Sequence, residues 1–237
     1  MGTPRITTAT NQTVDRALDV LFALLRADAP VGLGEVGNAC GLAPSTTHRL
    51  LSSLVRRNLA AQDPVTSHYR LGLGLLEFAN AILNHLDVRE AATPALNELS
   101  ELTKETIHLA VLDGLDLVYV DRRDTPHAIR LNTSIGRRTT PHTTGVGKAL
   151  LAFAPPGTLE RYLSEASLAP KTENSITTPE RLRAELKLTR ERGHAVDDQE
   201  DKPHIRCIAA PILGTRGHAL AAVSISVPDS RHTLRSL

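Results

Sequence analysis

Aromatic residues are scarce in this chain, which has no Trp, three Phe and three Tyr among 237 residues. Proteins that bind RNA or single-stranded DNA stack bases on aromatic side chains, so this composition disfavours that class. Only two cysteines are present, Cys40 and Cys207, far apart and outside any CxxC spacing. Neither a disulfide framework nor a zinc site is therefore expected, and a reducing cytoplasm fits best.

Long hydrophobic runs are also missing, since no window approaches the roughly 18 apolar residues of a membrane helix. Residues 1–10 contain no apolar segment and are expected to form a flexible polar tail rather than a signal peptide. The apolar fraction of 41% and the charged fraction of 22% are those of an ordinary folded protein. The length allows two modest domains, each with its own core.

Negative charge is absent from one stretch, because no carboxylate occurs between Glu35 and Asp63. Arg49, Arg56 and Arg57 lie in that gap, although the net charge of the whole chain is only +1. A surface that faces phosphate has this pattern, since an acidic side chain there would repel the DNA backbone. A chance acid-free stretch on a solvated helix is the alternative interpretation.

The N-terminal part has the pattern of a helix-turn-helix. Apolar residues recur at helical spacing over residues 14–25, with Thr13 placed to cap that helix. A weaker helix is expected from Glu35 to Ala39, because nearby glycines lower its propensity. After a connection at residues 40–43, Pro44 opens a second strong helix. The buried stripe of this second helix is expected to be Thr47, Leu50, Leu51 and Leu54.

The second helix supplies the candidate DNA contacts, since the first turn of such a helix meets base edges in the major groove. Hydroxyls and guanidinium groups can bind bases or phosphates, and the sequence leaves that choice open. Two short strands around a turn at residues 63–67 predict a β-hairpin, the wing of a winged helix-turn-helix. Arg70 on the wing would reach a flanking phosphate or pack over the hairpin. The candidate DNA-binding residues are Ser45, Thr46, Thr47, His48, Arg49, Arg56, Arg57 and Arg70.

Several segments resemble the IclR-type transcription regulators. In the N-terminal part they are Thr13–Leu18, Ser45–Leu51 and Tyr69–Gly72. The likeness continues through Glu105–Gly114, Gly145–Ala152, Arg190–Asp198 and Arg206–Pro211. Agreement in order and spacing over nearly the whole chain is much more specific than any one motif. The resemblance implies an α+β protein in which a winged helix-turn-helix is joined by a linker helix to a GAF-like effector domain.

The resemblance also implies a DNA-binding regulator that forms a homodimer, with a tetramer as the alternative, and responds to a small metabolite. The expected division is a winged helix-turn-helix at residues 11–72, a linker helix at 73–87 and an effector domain at 88–237. Family members continue into another helix beyond the position of Leu237, so we expect that helix to be missing here.

The linker helix carries an apolar stripe of about four turns. A self-association seam is one interpretation, and packing on its own domain is the other. In a dimer, two recognition helices would contact half-sites roughly 34–36 Å apart on double-stranded DNA. The stripe consists of Leu71, Leu75, Phe78, Ile82 and Leu86.

In the effector domain, strands alternate with helices. A helix is expected from Glu90 to Lys104, with Leu96, Leu99 and Leu102 facing inward. Strands are expected at residues 107–112, 117–122, 128–132, 205–212 and 219–227. Helices are expected at residues 145–153 and 180–192, the latter opened by a capping-box spacing at its start and ended by a glycine.

A ligand site is expected where polar groups meet in this domain. Ser224 and Ser226 alternate onto one face of an otherwise apolar strand, where buried hydroxyls need a ligand or a backbone partner. The start of the helix at residue 145 offers N–H groups to an anion. The effector-contacting positions that the resemblance implies are Gly145, Val146, Asp197, Cys207, Ser224 and Ser226. A small carboxylate or similarly polar metabolite is the expected effector. Asp198 is an alternative to Asp197 as the aspartate that contacts it. No cofactor is expected.

Other chemistries fit the sequence less well. The glycines before Lys148 lack the spacing of a phosphate-binding P-loop. The histidines near Cys207 lack the spacing of a zinc site, so no metal is expected. Cys207 could be a nucleophile in an enzyme, but a cysteine between apolar strand neighbours is usually inert. An architectural DNA binder would leave the C-terminal domain without a purpose.

Overall fold

The computed structural model of the protein describes residues 11–84, 87–128, 131 and 133–232. The chain divides into two compact units, residues 1–85 and 86–237. Three earlier expectations lie outside the described residues: the tail at 1–10, Leu86 of the linker stripe, and most of the strand at 128–132. No helix among the described residues is long and apolar enough to cross a membrane.

The first unit is a helix-turn-helix followed by a hairpin and one further helix. Its core joins Val20 and Leu24 of the first helix to Leu51 of the third and Tyr69 of the hairpin. The expected winged helix-turn-helix is therefore confirmed. The elements are α1 (Gln12–Arg26), α2 (Leu33–Cys40), α3 (Pro44–Arg56), β1 (Ala60–Gln62), β2 (Tyr69–Leu71) and α4 (Leu75–Asn84).

Helix α1 differs from its sequence prediction in its cap and its buried face. Asn11 caps it by accepting a hydrogen bond from the backbone N–H of Thr13 at 3.2 Å, so Thr13 is not the cap. Three residues of the predicted apolar stripe, Val14, Leu18 and Leu25, are about half exposed. The apolar face of α1 is thus wider than the surface that it buries within its own unit.

Glycine in α2 has a packing role that offsets its low helix propensity. A Cβ atom on Gly37 would lie 3.0 Å from Thr47 Oγ1 and 3.1 Å from the carbonyl oxygen of Leu42. Few side-chain carbons approach their neighbours so closely, so a larger residue would push α2 away from α3. The residue that weakens the helix in isolation therefore lets the two helices of the motif pack tightly.

The second unit is a sheet with helices on both faces. Its elements are α5 (Asp87–Thr103), β3 (Thr106–Asp113), β4 (Asp116–Arg123), β5 (Arg138–Thr139), α6 (Gly145–Ala152), α7 (Thr158–Glu165), α8 (Pro179–Arg192), β6 (Ala195–Asp198), β7 (Ile205–Leu213) and β8 (Ala219–Pro228). The strand order is β5-β4-β3-β8-β7-β6, and every pair is antiparallel. The expected α+β class is confirmed.

The two faces of this sheet have different side chains. Leu96 of α5 packs against one face, where Ile107 and Ile225 belong to the same cluster. Val146 and Leu150 of α6 pack against the other face, which is lined by small residues. The sheet thus has a branched aliphatic side and a small-residue side, and α6 lies on the latter.

Some elements of this unit were not predicted, and one side chain is placed differently. Leu102, expected to face inward from α5, is 74% exposed, whereas Leu96 and Leu99 of the same helix pack in the cluster against the sheet. Strands β5 and β6 have only two and four residues, too few for a periodic signal. Helix α7 is a short surface helix that begins after Gly157, which has a φ of +83°.

Candidate DNA-contacting face and effector pocket

The first turn of α3 presents polar side chains and an uncapped helix end. Ser45, His48 and Arg49 are exposed, and Thr46 is half-buried. The residue before the helix, Ala43, forms no side-chain cap, and the first turn contains no acidic residue. Pro44 has no N–H, and the N–H groups of Thr46 and Thr47 both bond to the carbonyl oxygen of Ala43 at 3.0 Å. The N–H of Ser45 and the positive end of the helix dipole therefore remain available to a phosphate group.

Thr47 is a core residue, and its prediction as a DNA contact is wrong. The side chain is fully buried. Its hydroxyl donates a hydrogen bond to the carbonyl oxygen of Ala43 at 3.1 Å, so its hydrogen-bonding capacity is used inside the helix. The residue packs against Gly37 of α2 and sets the distance between the two helices of the motif.

The remaining candidate arginines of this unit are exposed cations. Arg56 ends α3 and donates to Ser53 Oγ at 3.4 Å, and Arg57 follows as the C-terminal cap. Arg70 lies in β2, exposed to solvent and paired in register with Ala61. Within the described part of the chain, none of these three arginines forms an ion pair with a carboxylate. Their charge is therefore free to act on an external anion.

In the second unit, a cavity under the N-terminus of α6 contains all six residues predicted for the effector site. The cavity is narrow: the volume open to the centre of a water-sized sphere is about 30 Å³, and the empty space reaches about 380 Å³ only when the gaps between atoms and the open solvent at its mouth are included. The lining consists of Gly145, Val146, Asp197, Cys207, Ser224 and Ser226, together with His108, Tyr119, Leu131, Thr133, Thr144, Asp201, Lys202 and Ile205. The structure thus gathers residues from six segments of the sequence at one place.

Strand register explains why these side chains meet. Asp197 lies opposite Cys207, and Cys207 lies opposite Ser226. Ser224 lies opposite His108 on the next strand. Residues directly opposite each other in antiparallel strands point to the same face of the sheet. The polar side chains therefore form a row across β6, β7, β8 and β3 beneath the start of α6.

The start of α6 lies close to this row. A Cβ atom on Gly145 would be 3.3 Å from the Cβ of Ala209 and 3.5 Å from that of Cys207. Thr144 caps the helix by accepting a hydrogen bond from the N–H of Gly147 at 3.0 Å. Among the described residues, no hydrogen bond is formed by the N–H groups of Gly145 and Val146. Two backbone donors at a helix N-terminus are thus available beside the cavity.

His108 and Thr133 belong to the cavity, although the sequence did not single them out. His108 Nε2 lies 2.7 Å from Thr133 Oγ1, and its Nδ1 lies 3.3 Å from Ser226 Oγ. Burial lowers the pKa of His108 to about 3, with Arg122 adding to the effect, so the imidazole is neutral. Its ring also contacts that of Tyr119 in a tilted arrangement, with the centroids 5.0 Å apart and the ring planes at 48°.

Asp197 and Asp198, the two alternatives for the aspartate of the effector site, have different environments. Asp197 is buried in the cavity wall, and its Oδ1 accepts a hydrogen bond from the N–H of Glu200 at 2.7 Å. Burial raises the pKa of Asp197 to about 7, although that hydrogen bond and Lys148 oppose the rise. Asp198 instead forms an ion pair with Arg206, 2.8 Å from Nε to Oδ1. Of the two alternatives, only Asp197 lines the cavity.

Cys207 has the environment of an inert thiol. Burial raises its pKa well above the ordinary value, and nearby Asp197 raises it further. Its sulfur donates a weak hydrogen bond to Ser226 Oγ at 3.1 Å. A nucleophilic cysteine needs a lowered pKa, so this geometry does not support catalysis. Within the described ranges, no three potential metal ligands come together.

A winged helix-turn-helix with unpaired arginines, in a chain whose second unit holds a polar cavity, defines the class of ligand-responsive DNA-binding regulators. Two family profiles match the chain. The one described as "IclR helix-turn-helix domain" matches residues 13–64, and "Bacterial transcriptional regulator IclR C-terminal" matches residues 80–236. The chain belongs to the IclR family of DNA-binding transcriptional regulators, whose C-terminal domain binds an effector.

Named relatives are regulators rather than enzymes. The HTH-type transcriptional regulator BhcR of Paracoccus denitrificans is 37% identical over 218 residues, which are 92% of this chain and 78% of that protein. The transcriptional repressor IclR of Escherichia coli is 31% identical over 224 residues, which are 94% of this chain and 82% of that protein. This chain is likewise a regulator and not an enzyme.

Solved structures share the fold. The Thermotoga maritima IclR has a TM-score of 0.79 at 29% identity, covering 96% of this chain and 92% of its own. An IclR homolog from Microbacterium hydrocarbonoxydans, complexed with 4-hydroxybenzoate, has a TM-score of 0.82 at 24% identity, covering 94% and 92%. At that identity the second structure supports the fold alone.

The pKa of Asp197 predicts how stability depends on pH. The folded value of about 7 lies above the ordinary value of 3.8, so the protonated carboxyl stabilises the fold. That contribution is complete below about pH 4 and is lost as the pH rises through about 7. Asp197→Asn cannot ionise. The melting temperature of this variant minus that of the wild type should therefore increase as the pH rises from 5 to 8.

The matched control is Asp198→Asn, which removes a carboxylate from the same strand but from its exposed ion pair. This variant should follow the wild-type pH dependence, with a constant offset. A pH-independent difference between Asp197→Asn and the wild type would show that the carboxyl does not titrate in this range.

Proposed function

We propose that the exposed face of α3 lies in the major groove of double-stranded operator DNA and that the wing contacts the flanking backbone. The observation that carries this proposal is the set of unpaired, exposed arginines at Arg49, Arg56 and Arg57, because α3 contains no carboxylate. The contacting residues are Ser45, Thr46, His48, Arg49, Arg56, Arg57 and Arg70. Because its target is chromosomal DNA, the protein acts in the cytoplasm, on the nucleoid.

Arg49→Ala tests the DNA face. Loss of a phosphate contact should weaken binding to DNA upstream of the protein's own gene and lower the slope of log K against log salt by about 1. Loss of a base contact should instead cost about 1–3 kcal/mol at that base pair. Fluorescence anisotropy over a salt series measures both quantities.

The control for this test is Arg181→Ala, which removes an exposed arginine from α8 of the other unit. Its affinity and salt slope should equal those of the wild type. If Arg49→Ala matches this control in affinity, salt slope and base preference, α3 is not the contacting helix.

We assign residues 11–72 to DNA binding, 73–87 to a linker and 88–237 to the effector domain. The effector that the cavity favours is a small carboxylate, because a helix N-terminus with two unbonded N–H groups suits an anion. The hydroxyls of Ser224 and Ser226 would bind its hydroxyl or carbonyl oxygen. No hydrogen bond to Ser224 Oγ is present among the described residues, which leaves that buried group with capacity for a ligand.

Replacing both Ser224 and Ser226 with Ala should leave DNA affinity unchanged and abolish the response to the effector. The hydroxyls supply the ligand's hydrogen bonds but lie in a different unit from α3. The measurement is DNA binding with and without small acids that stabilise the wild type in a thermal-shift screen. A normal response from the double variant would move the effector site elsewhere.

We infer that the active form is a homodimer, with a tetramer as a further assembly. The support is exposed apolar surface on the first unit, where Leu76, Phe78 and Ile82 of α4 are 58%, 62% and 65% exposed. These side chains do not pack on their own unit, and a surface of this kind is typical of a protein interface. A second copy of the chain is the occupant that paired operator half-sites require.

Phe78→Asp tests this interface, since a carboxylate would be costly to bury in an apolar seam. We expect the variant to shift from dimer to monomer in multi-angle light scattering. Glu77→Gln, an exposed change on the same helix, is the control and should remain dimeric. A Phe78→Asp protein of unchanged mass would exclude α4 from the interface.

A further inference from the structure

Lys202 is a cation in the proposed effector pocket that forms no direct ion pair with a carboxylate of the described residues. It lines the cavity, is half-buried, and forms no ion pair with any described residue. Burial lowers the pKa of its ammonium group, so it gains from an anionic neighbour. The adjacent Asp201 is already engaged, because it pairs with Lys171 and accepts a hydrogen bond from Thr143 Oγ1 at 3.2 Å.

The other charged groups around the cavity are balanced or neutral. Lys148 is fully buried and forms an ion pair with Glu200. Asp197 is largely protonated below pH 7, and the imidazole of His108 is neutral. When Asp201 is counted with its partner Lys171, which lies outside the lining, the groups around the cavity keep the positive charge of Lys202, offset in part by Asp197 as that carboxyl ionises near pH 7. One uncompensated cation in a small polar cavity favours a ligand with a single negative charge.

The backbone that carries Lys202 is fixed before any ligand binds. It lies in the connection between β6 and β7, where Gln199 and His204 both have a φ of +63°. The carbonyl of Gln199 accepts from Thr172 Oγ1 at 2.7 Å, and that of Glu200 accepts from Ser175 Oγ at 2.7 Å. Because the loop is anchored, binding does not have to order its backbone, and the entropy lost is that of the lysine side chain.

Hydroxyl groups complete the recognition surface. The Cys207 thiol donates to Ser226 Oγ, which leaves the Ser226 hydroxyl proton to bond the Nδ1 of His108. The Nε2–H of that ring then donates to Thr133 Oγ1, and the Thr133 hydroxyl proton remains for a ligand oxygen. With Ser224, this arrangement suits a ligand that has hydroxyl or carbonyl oxygens besides its carboxylate.

We propose that Lys202 is the specificity-determining residue of the pocket and that its ammonium group binds the carboxylate of a small, hydroxylated monocarboxylic acid. The Gly145 and Val146 N–H groups share this carboxylate, and the row of hydroxyls binds the rest of the molecule. The inference rests on the proposed effector pocket, and it adds the charge and the functional groups of the ligand.

The experiment compares acids with their uncharged amides. Glycolate, D-gluconate and 4-hydroxybenzoate, each beside its amide, are titrated against the full-length protein by thermal shift and calorimetry. We expect at least one acid to bind the wild type at least tenfold more tightly than its amide. In Lys202→Gln that preference should disappear, and in Lys202→Arg it should persist. Lys187→Gln, which removes a lysine whose side chain is 78% exposed on α8, should behave as the wild type.

Each outcome is informative. If Lys202→Gln retains the preference for the acid, Lys202 does not select the ligand. The proposed location of the effector pocket is still supported in that case if the Ser224 and Ser226 double variant loses the response. If no acid binds the wild type, or an amide binds better, both the role of Lys202 and the carboxylate effector are overturned. DNA binding measured on the same protein separates these failures from loss of the regulator's fold.

Discussion

Helix α6 is buried along its whole length, and the effector domain is arranged around the packing of that helix on the sheet. Its footprint contains small residues, namely Ala110, Ala195, Ala209 and Ala222. At Gly147 even a Cβ would not fit, because it would lie 2.2 Å from the carbonyl oxygen of Pro141. This close fit holds the helix N-terminus over the ends of the strands, where the alanines give way to polar residues. The pocket is therefore a consequence of core packing.

A buried charge ties that core to the loop that borders the pocket. Lys148 of α6 has no access to solvent, so its ion pair with Glu200 is needed to offset the cost of burial. The N–H of Glu200 donates to Asp197, and its carbonyl accepts from Ser175. Removing either member of the ion pair would leave an unpaired buried charge, so the loop and α6 behave as one structural element.

The sequence predicts those parts of the site that have a local pattern. Alternation along β8 placed Ser224 and Ser226 on one face, and Val223 and Ile225 do lie on the other side, against α5. His108 was missed because a histidine within an apolar strand resembles a core residue until its pairing with β8 is known. Lys202 lies in an irregular loop, where no periodicity indicates the direction of a side chain.

The same reasoning accounts for the error at Thr47. Its position in the buried stripe of α3 followed from spacing, whereas its hydroxyl and its neighbours suggested a DNA contact. The structure shows that the apolar pattern determines whether Thr47 is buried, because a threonine can donate its hydroxyl hydrogen bond to a carbonyl on the preceding turn of its own helix. The type of side chain alone is thus a weak predictor of a DNA contact on an amphipathic helix. Its position on the buried or the exposed face of the helix is a stronger predictor.

Two described side chains have a buried polar atom without a hydrogen-bond partner, Arg89 on α5 and Glu200 beside the proposed effector cavity, whereas Thr47 in the core of the first unit is satisfied. Glu200 Oε2 is buried without a hydrogen-bond partner among the described residues, and Asp197 is buried with a raised pKa. Such groups destabilise the empty domain, since each has given up water without full compensation. A ligand that restores hydrogen bonds would stabilise the domain in proportion to its occupancy. In the proposed function, a bound effector would complete the polar network beside the N-terminus of α6.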